Sequence, residues 1–235
     1  MRDGVVDRAA ARLRASSRAF TRRNLFHEVR RLAGRRAAPA SFDAFIAGPL
    51  AERLRAGAID GLLPPPAPVE RRGRLPREWD AYFPAAVLMV DRREVRDLFV
   101  ASGVVVHARL AVIAADGSPA PVVAWLRRGL RAGYRAPFGY LHDASTVLYP
   151  YLLEPFATLV DVLEGEPAPV IDLGLGPDGL SRRALGATDG GDERVFELEA
   201  VEPWLLISWA MRQLVALQPR DAWLEPLVSA KRGKR

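Results

Sequence analysis

Three short, wholly apolar runs separated by helical stretches constrain this chain more than any other feature. Ala85 to Val90 is continuously apolar and ends at Asp91, Leu110 to Ala114 is a second run, and Phe138 to Leu141 is a third that ends at His142–Asp143. Runs of this length without polar alternation suit strands covered on both faces, as in a parallel sheet. Between them Val95, Leu98 and Phe99 recur at helical spacing up to Gly103, and Val122, Val123, Trp125, Leu126 and Leu130 do so again. The alternation predicts a parallel α/β sheet over residues 79–163. Ligands of such sheets bind beyond the carboxyl ends of the strands, which singles out Asp91 and Asp143. Strand-terminal aspartates also cap the helix that follows, and spacing leaves both roles open.

The segment before the sheet reads differently. Val5, Val6, Ala9, Ala10 and Leu13 form one helical stripe, and Leu25, Phe26, Val29 and Leu32 a second, opened by Thr21 as N-cap and closed by Gly34. A third stretch starts at Ser41, is expected to break at Gly48–Pro49, and resumes through Leu50 and Leu54 to Gly57. Three short basic helices over 1–63 suit a helix-turn-helix or winged-helix-like module. Pro64, Pro65, Pro66 and Pro68 then begin a stiff proline- and arginine-rich connector over 64–78. Residues 79–235 are read as the α/β domain with an acidic C-terminal extension. In that extension the Gly-rich stretch from Asp172 to Gly179 lacks the Gly-Lys-Ser/Thr of a phosphate loop and is read as a loop. Arg194–Ala200 is read as a strand, and Pro203 to Leu217 as a helix that Trp204, Trp209 and Trp223 pack onto the sheet. Lys231 to Arg235 reads as a basic tail.

Charge is divided along the chain. Residues 1–77 hold seventeen Arg against seven Asp and Glu, whereas residues 143–226 hold five Arg against fifteen acids. A basic segment of this kind is what phosphate contact requires, and it points to DNA through Arg18, Arg22, Arg23, Arg30, Arg31, Arg35 and Arg36. The alternative is a solvated basic face, or a basic face that docks the acidic half of the same chain. The composition, 49% hydrophobic and 26% charged, excludes a disordered or fibrous chain. The lack of cysteine excludes disulfides, thiolate metal sites and a cysteine nucleophile. No apolar run is long enough to span a membrane, and no apolar leader opens the chain, so a cytoplasmic protein is expected.

Set in order, Val87–Leu88–Met89–Val90–Asp91, then Glu94–Val95 and Leu98–Phe99, then Asp116–Gly117–Ser118–Pro119, then Tyr140–Leu141–His142–Asp143–Ala144–Ser145 resemble the Toprim domain of the topoisomerase VI A subunit and its double-strand-break relatives. Thr21–Arg22–Arg23–Asn24–Leu25–Phe26 resembles that family's N-terminal winged-helix motif. The resemblance covers roughly residues 17–163 and implies DNA as partner, a homodimer, an ATPase or other subunit of a larger complex, and magnesium on Asp91 and Asp143.

The departures bear on chemistry. Where the family carries the tyrosine that attacks DNA, this chain has Phe26 and His27, and its first tyrosine is Tyr82. A tyrosyl–DNA intermediate on the basic module is therefore excluded. His27 reads more simply as a structural or surface residue than as a nucleophile. Asp91 stands where the resemblance implies glutamate, and Ser145 where it implies the second acid of Asp-x-Asp. The expected function is DNA binding in a topoisomerase VI A-like role without strand cleavage. The alternatives are a magnesium-dependent nuclease of a defence or DNA-maintenance complex using Asp91 and Asp143, and a non-catalytic scaffold. A His-Asp phosphohydrolase has too few histidines here, and no Ser/His/Asp triad stands out.

Overall fold

The computed structural model describes residues 4–34, 37–66, 84–114, 128, 137–145, 170–174 and 195–216. The fold is mixed α/β, and its described residues form two apolar cores, one within the N-terminal helices and one around the sheet.

The N-terminal helices form where the apolar stripes predict them. Helix α1 (Val5–Ser16) buries Val5, Val6, Ala9, Ala10 and Leu13 and lies against α2 (Arg22–Ala33). Thr21 caps α2 reciprocally with Asn24, and Gly34 ends it at φ 75°, a conformation that favours glycine. The expected break at Pro49 does not occur. Helix α3 (Phe42–Phe45), capped by Ser41, runs through a π-helical turn (Ile46–Leu50) into α4 (Ala51–Arg55). The wider turn takes up both the missing N–H and the bulk of the proline ring, so the chain keeps its helical course. Among the described residues of this module the sole β contact is a single parallel bridge, Phe20 to Leu62.

All three expected strands are present: β1 (Ala86–Val90), β2 (Leu110–Ala114) and β3 (Phe138–Leu141). Helices α5 (Arg93–Ala101) and α6 (Val104–His107) connect β1 to β2. A two-residue strand β4 (Ala144–Ser145) follows β3, and β5 (Val170–Asp172) adds a fourth strand to the main sheet. The sheet order is β2-β1-β3-β5, with every pairing parallel. In this register Leu88 lies between Val112 and Gly139. Three residues after a proline carry too little pattern to announce β5, whose place is set by the open edge of β3. The expected strand over Arg194–Ala200 divides into β6 (Val195–Phe196), antiparallel to β4, and a 3₁₀ turn (Leu198–Ala200). The division places Leu198, fully buried, in the sheet core.

Helix α7 (Pro203–Ala216) rests on the sheet through Leu206, Ala210 and Leu214. Gly139 makes the close approach possible, because a Cβ there would stand 2.8 Å from Leu173 Cδ1 and 3.0 Å from Leu214 Cδ2. Trp209 packs beside this core as expected. Trp204 does not, being 45% exposed: it lies two residues before Leu206, about 200° round the helix from the buried stripe. Trp223 and the helix expected around Trp125 lie outside the described residues, as does most of the Gly-rich stretch. No helix among the described residues is long and apolar enough to cross a membrane.

Candidate functional site

From β1 the chain crosses to β2 on one side, and it later returns to place β3 on the other. The switch point therefore falls between β1 and β3, where an open parallel sheet offers its ligand crevice. Asp91 follows β1 directly, and its N–H donates to the Leu141 carbonyl at 3.3 Å. Asp143 lies two residues beyond β3, and its N–H donates to Asp91 Oδ2 at 3.1 Å. The structure thus brings the two expected aspartates together. Asp91 is not the N-cap of α5, since that position belongs to Arg92 and carries no side-chain cap bond; the chain after β4, where Asp143 could cap a helix, lies outside the described residues.

Arg92 fills the space at the strand ends. Its Nη2 donates to Asp143 Oδ1 at 2.9 Å, lies 2.8 Å from Asp143 Oδ2, and also donates to Glu199 Oε2. Its Nε lies 3.9 Å from Asp91 Oδ1. Asp143 Oδ1 accepts in addition from the Leu198 N–H at 2.6 Å. Side-chain exposure is 10% for Asp91, 11% for Asp143, 0% for Glu199 and 22% for Arg92. Sequence reasoning missed both Arg92 and Glu199. Arg92 stands just before a helix of ordinary charge that carries two more arginines, Arg93 and Arg96, and Glu199 is 56 positions beyond Asp143 in an acidic stretch where nothing marks one acid over its neighbours.

A second polar layer joins this cluster to α2. Arg23 Nη1 donates to both Glu197 oxygens at 3.1 Å, and His27 Nε2 lies 2.9 Å from Glu197 Oε2. Asn24 Nδ2 donates to the Glu199 carbonyl at 2.7 Å. Two of the arginines expected to meet DNA therefore have carboxylate partners within the chain: Arg23 on Glu197, and Arg31 on Glu28 at 2.9 Å. Arg18 is exposed, and Arg30 lies over the Phe26 ring at 5.4 Å. Arg22 borders a groove of about 190 Å³ together with Phe42, Asp43, Glu94 and Asp97. Arg35 and Arg36 lie outside the described residues. Phe26 itself is buried, edge-on to Phe42.

Three carboxylates around one guanidinium leave an excess of negative charge in a buried place. Burial raises Asp91; burial and then the charge of Asp91 raise Asp143 well above the usual carboxylate range. Burial likewise pushes Glu199 up to about 7 against the pull of Arg92. Burial alone lowers Arg92, but Glu199, Asp143, Asp91 and Glu197 outweigh it and hold the guanidinium charged. Glu197 shows the opposite balance. Burial pushes it up, yet the hydrogen bond and charge of His27, with Arg23 and Arg92, bring it down to about 2.

The residues present do not fit magnesium as they are arranged. A hard divalent ion needs about six oxygens in octahedral geometry. Here Asp143 and one Glu199 oxygen are turned onto Arg92, whose charge repels a second cation, and no cluster of three acids or histidines among the described residues is arranged to hold a metal. A crevice of about 30 Å³ beside the cluster, bordered by His27, Glu28 and Glu199, has room for a water molecule. No family model, curated protein or solved structure significantly matches the chain.

Proposed function

We propose that this chain is a DNA-binding protein of Toprim-like architecture, related in plan to the topoisomerase VI A subunit, that does not cleave DNA. The observation that carries this reading is the buried Asp91–Arg92–Asp143–Glu199 cluster. Metal-assisted hydrolysis needs paired carboxylates open to a phosphate and a hydrated ion, and these carboxylates face a guanidinium instead. The other route to cleavage, a nucleophilic hydroxyl, is missing from α2, where buried Phe26 occupies the relevant place. DNA contact rests on the excess of ten positive charges in residues 1–77, with Arg18 and Arg30 as the leading described contacts.

Fluorescence anisotropy with duplex DNA, combined with a cleavage gel run with magnesium and with manganese, tests both halves. Binding that weakens steeply with salt and no nicking is the expected result. Arg18→Glu with Arg30→Glu should weaken binding about tenfold or more over all sequences. Binding that is absent at low salt overturns DNA contact, and metal-dependent nicking lost in Asp143→Ala restores the nuclease alternative.

The pairing of Arg23 with Glu197 favours a second reading, in which part of the basic face serves to dock the acidic half and the protein acts as a scaffold. A homodimer, and an ATPase or other subunit as partner, belong to the first reading. Light scattering that gives a 25.8 kDa particle at tens of micromolar removes the dimer.

A further inference from the structure

We propose that Arg92 is the resident cation of this site, standing permanently where converging carboxylates would otherwise draw in a divalent ion, and that Glu199 is the third arm that holds it there. The carboxylates come from three separate places: the end of β1, the residues after β3, and the 3₁₀ turn. One guanidinium nitrogen serves both Asp143 and Glu199, while Nε faces Asp91 at ion-pair distance. The backbone of Arg92 is extended, φ −132° and ψ 150°, just before α5 begins, and its side chain reaches Asp143 and Glu199.

The match is one of charge rather than of shape. Asp91 Oδ1, Glu199 Oε1 and Arg92 Nε are buried without a hydrogen-bond partner. A guanidinium evolved to grip carboxylates fork to fork would satisfy those atoms. Here it neutralises the cluster and leaves two carboxylate oxygens unused. Without Arg92, three carboxylates would remain in a place nearly sealed from water, with the buried imidazole of His142, which favours the ionised form of Asp91, as the neighbouring group left to offset them. Isolated buried carboxylates are too costly to keep ionised, so they take up protons or a cation; as placed they form no metal site, but released from Arg92 their side chains can turn onto a hard divalent ion. The inference rests on the same Asp91–Arg92–Asp143–Glu199 cluster as the non-cleaving reading, but not on DNA contact. Its test uses metal alone, so DNA binding can fail without affecting it.

The test is thermal melting of the full chain with and without MnCl₂ at about 1 mM, together with direct manganese titration. Wild type should show neither a shift nor saturable binding. Arg92→Ala should melt lower without metal and recover by about 3–8 °C with manganese. Arg92→Lys, which keeps a cation in place, should remain insensitive to metal. Adding Glu199→Gln to Arg92→Ala should weaken manganese binding about tenfold. Saturable manganese binding by wild type overturns the proposal, as does a folded Arg92→Ala that ignores manganese. An undiminished response in the double variant removes Glu199 as third arm. If Arg92→Ala does not fold alone, refolding it and Arg92→Gln with manganese decides: recovery supports the proposal, and failure of both overturns it.

Discussion

The side-chain amide of Asn24 donates to the backbone carbonyl of Glu199 at 2.7 Å, while the oxygen of the same amide accepts the N–H of Thr21 at 2.9 Å. One buried side chain therefore closes the N-terminus of α2 and ties that helix to the turn carrying the buried glutamate. The cap and the joint between the two cores are a single object.

Asn24→Ala should accordingly cost more than an ordinary cap, about 2–3 kcal/mol, because it also strips the Glu199 carbonyl of its donor. Asn24→Asp keeps the acceptor for Thr21 but sets a carboxylate against that carbonyl, and should be at least as costly at neutral pH. Urea midpoints measure both. An Asn24→Asp variant as stable as wild type would show that the joint contributes nothing.

Glu197 carries a pH dependence of definite sign. Its carboxyl titrates at about 2 in the folded chain against an ordinary 4.5, so its stabilisation is fully present above pH 4.5 and disappears as the pH falls towards 2. Allowing for its 25% exposed side chain, the contribution is about 1–3 kcal/mol. Stability measured between pH 5 and pH 2.5 should fall less steeply in Glu197→Gln than in wild type, and parallel curves would refute the assignment.

Glu199 runs the other way. A folded value of about 7 against 4.5 means that the native state holds a proton the unfolded chain has released, so stability is lost as the pH rises from 4.5 to 7. Glu199→Gln, which imitates the protonated acid, should match wild type near pH 4.5 and exceed it by about 1–3 kcal/mol at pH 8. A melting-temperature difference that does not widen with pH contradicts this.

Gly139 allows α7 to approach the sheet. Gly139→Ala should cost about 1 kcal/mol and Gly139→Val about 3 kcal/mol, since the new atoms meet the packed ends of Leu173 and Leu214. Shortening Leu173 to Ala should relieve part of the valine penalty. Strict additivity of the two changes in chemical denaturation would show that no contact is shared.

What the sequence made legible followed from pattern length. Val5 to Leu13 and Ala85 to Val90 repeat their apolar spacing long enough to declare helix and buried strand, and Thr21 declared its cap. Asp91 and Asp143 were legible as a pair because topology brings strand ends together. Their surroundings were not. Arg92 reads as one more surface arginine until its extended backbone is known, and Glu199 reaches the site only through a turn whose course depends on where Leu198 finds its core. Val170–Asp172 became a strand because β3 had an unpaired edge, a cause that three residues do not record. Pro49 misled because the rule against proline within helices assumes the α-helical pitch.

The strap formed by residues 197–201 gives the molecule a noncovalent hinge pin. Leu198 and Val201 are anchored in the sheet core, while Glu197 and the Glu199 carbonyl hold Arg23, His27 and Asn24 of α2. Covalent continuity through the proline-rich connector is thus not what keeps the halves together. A chain severed by an engineered protease site within residues 67–83 is expected to elute as one particle, its fragments separating more readily once the strap is broken, and the N-terminal helices expressed without the strap would be an incomplete half rather than a free-standing domain.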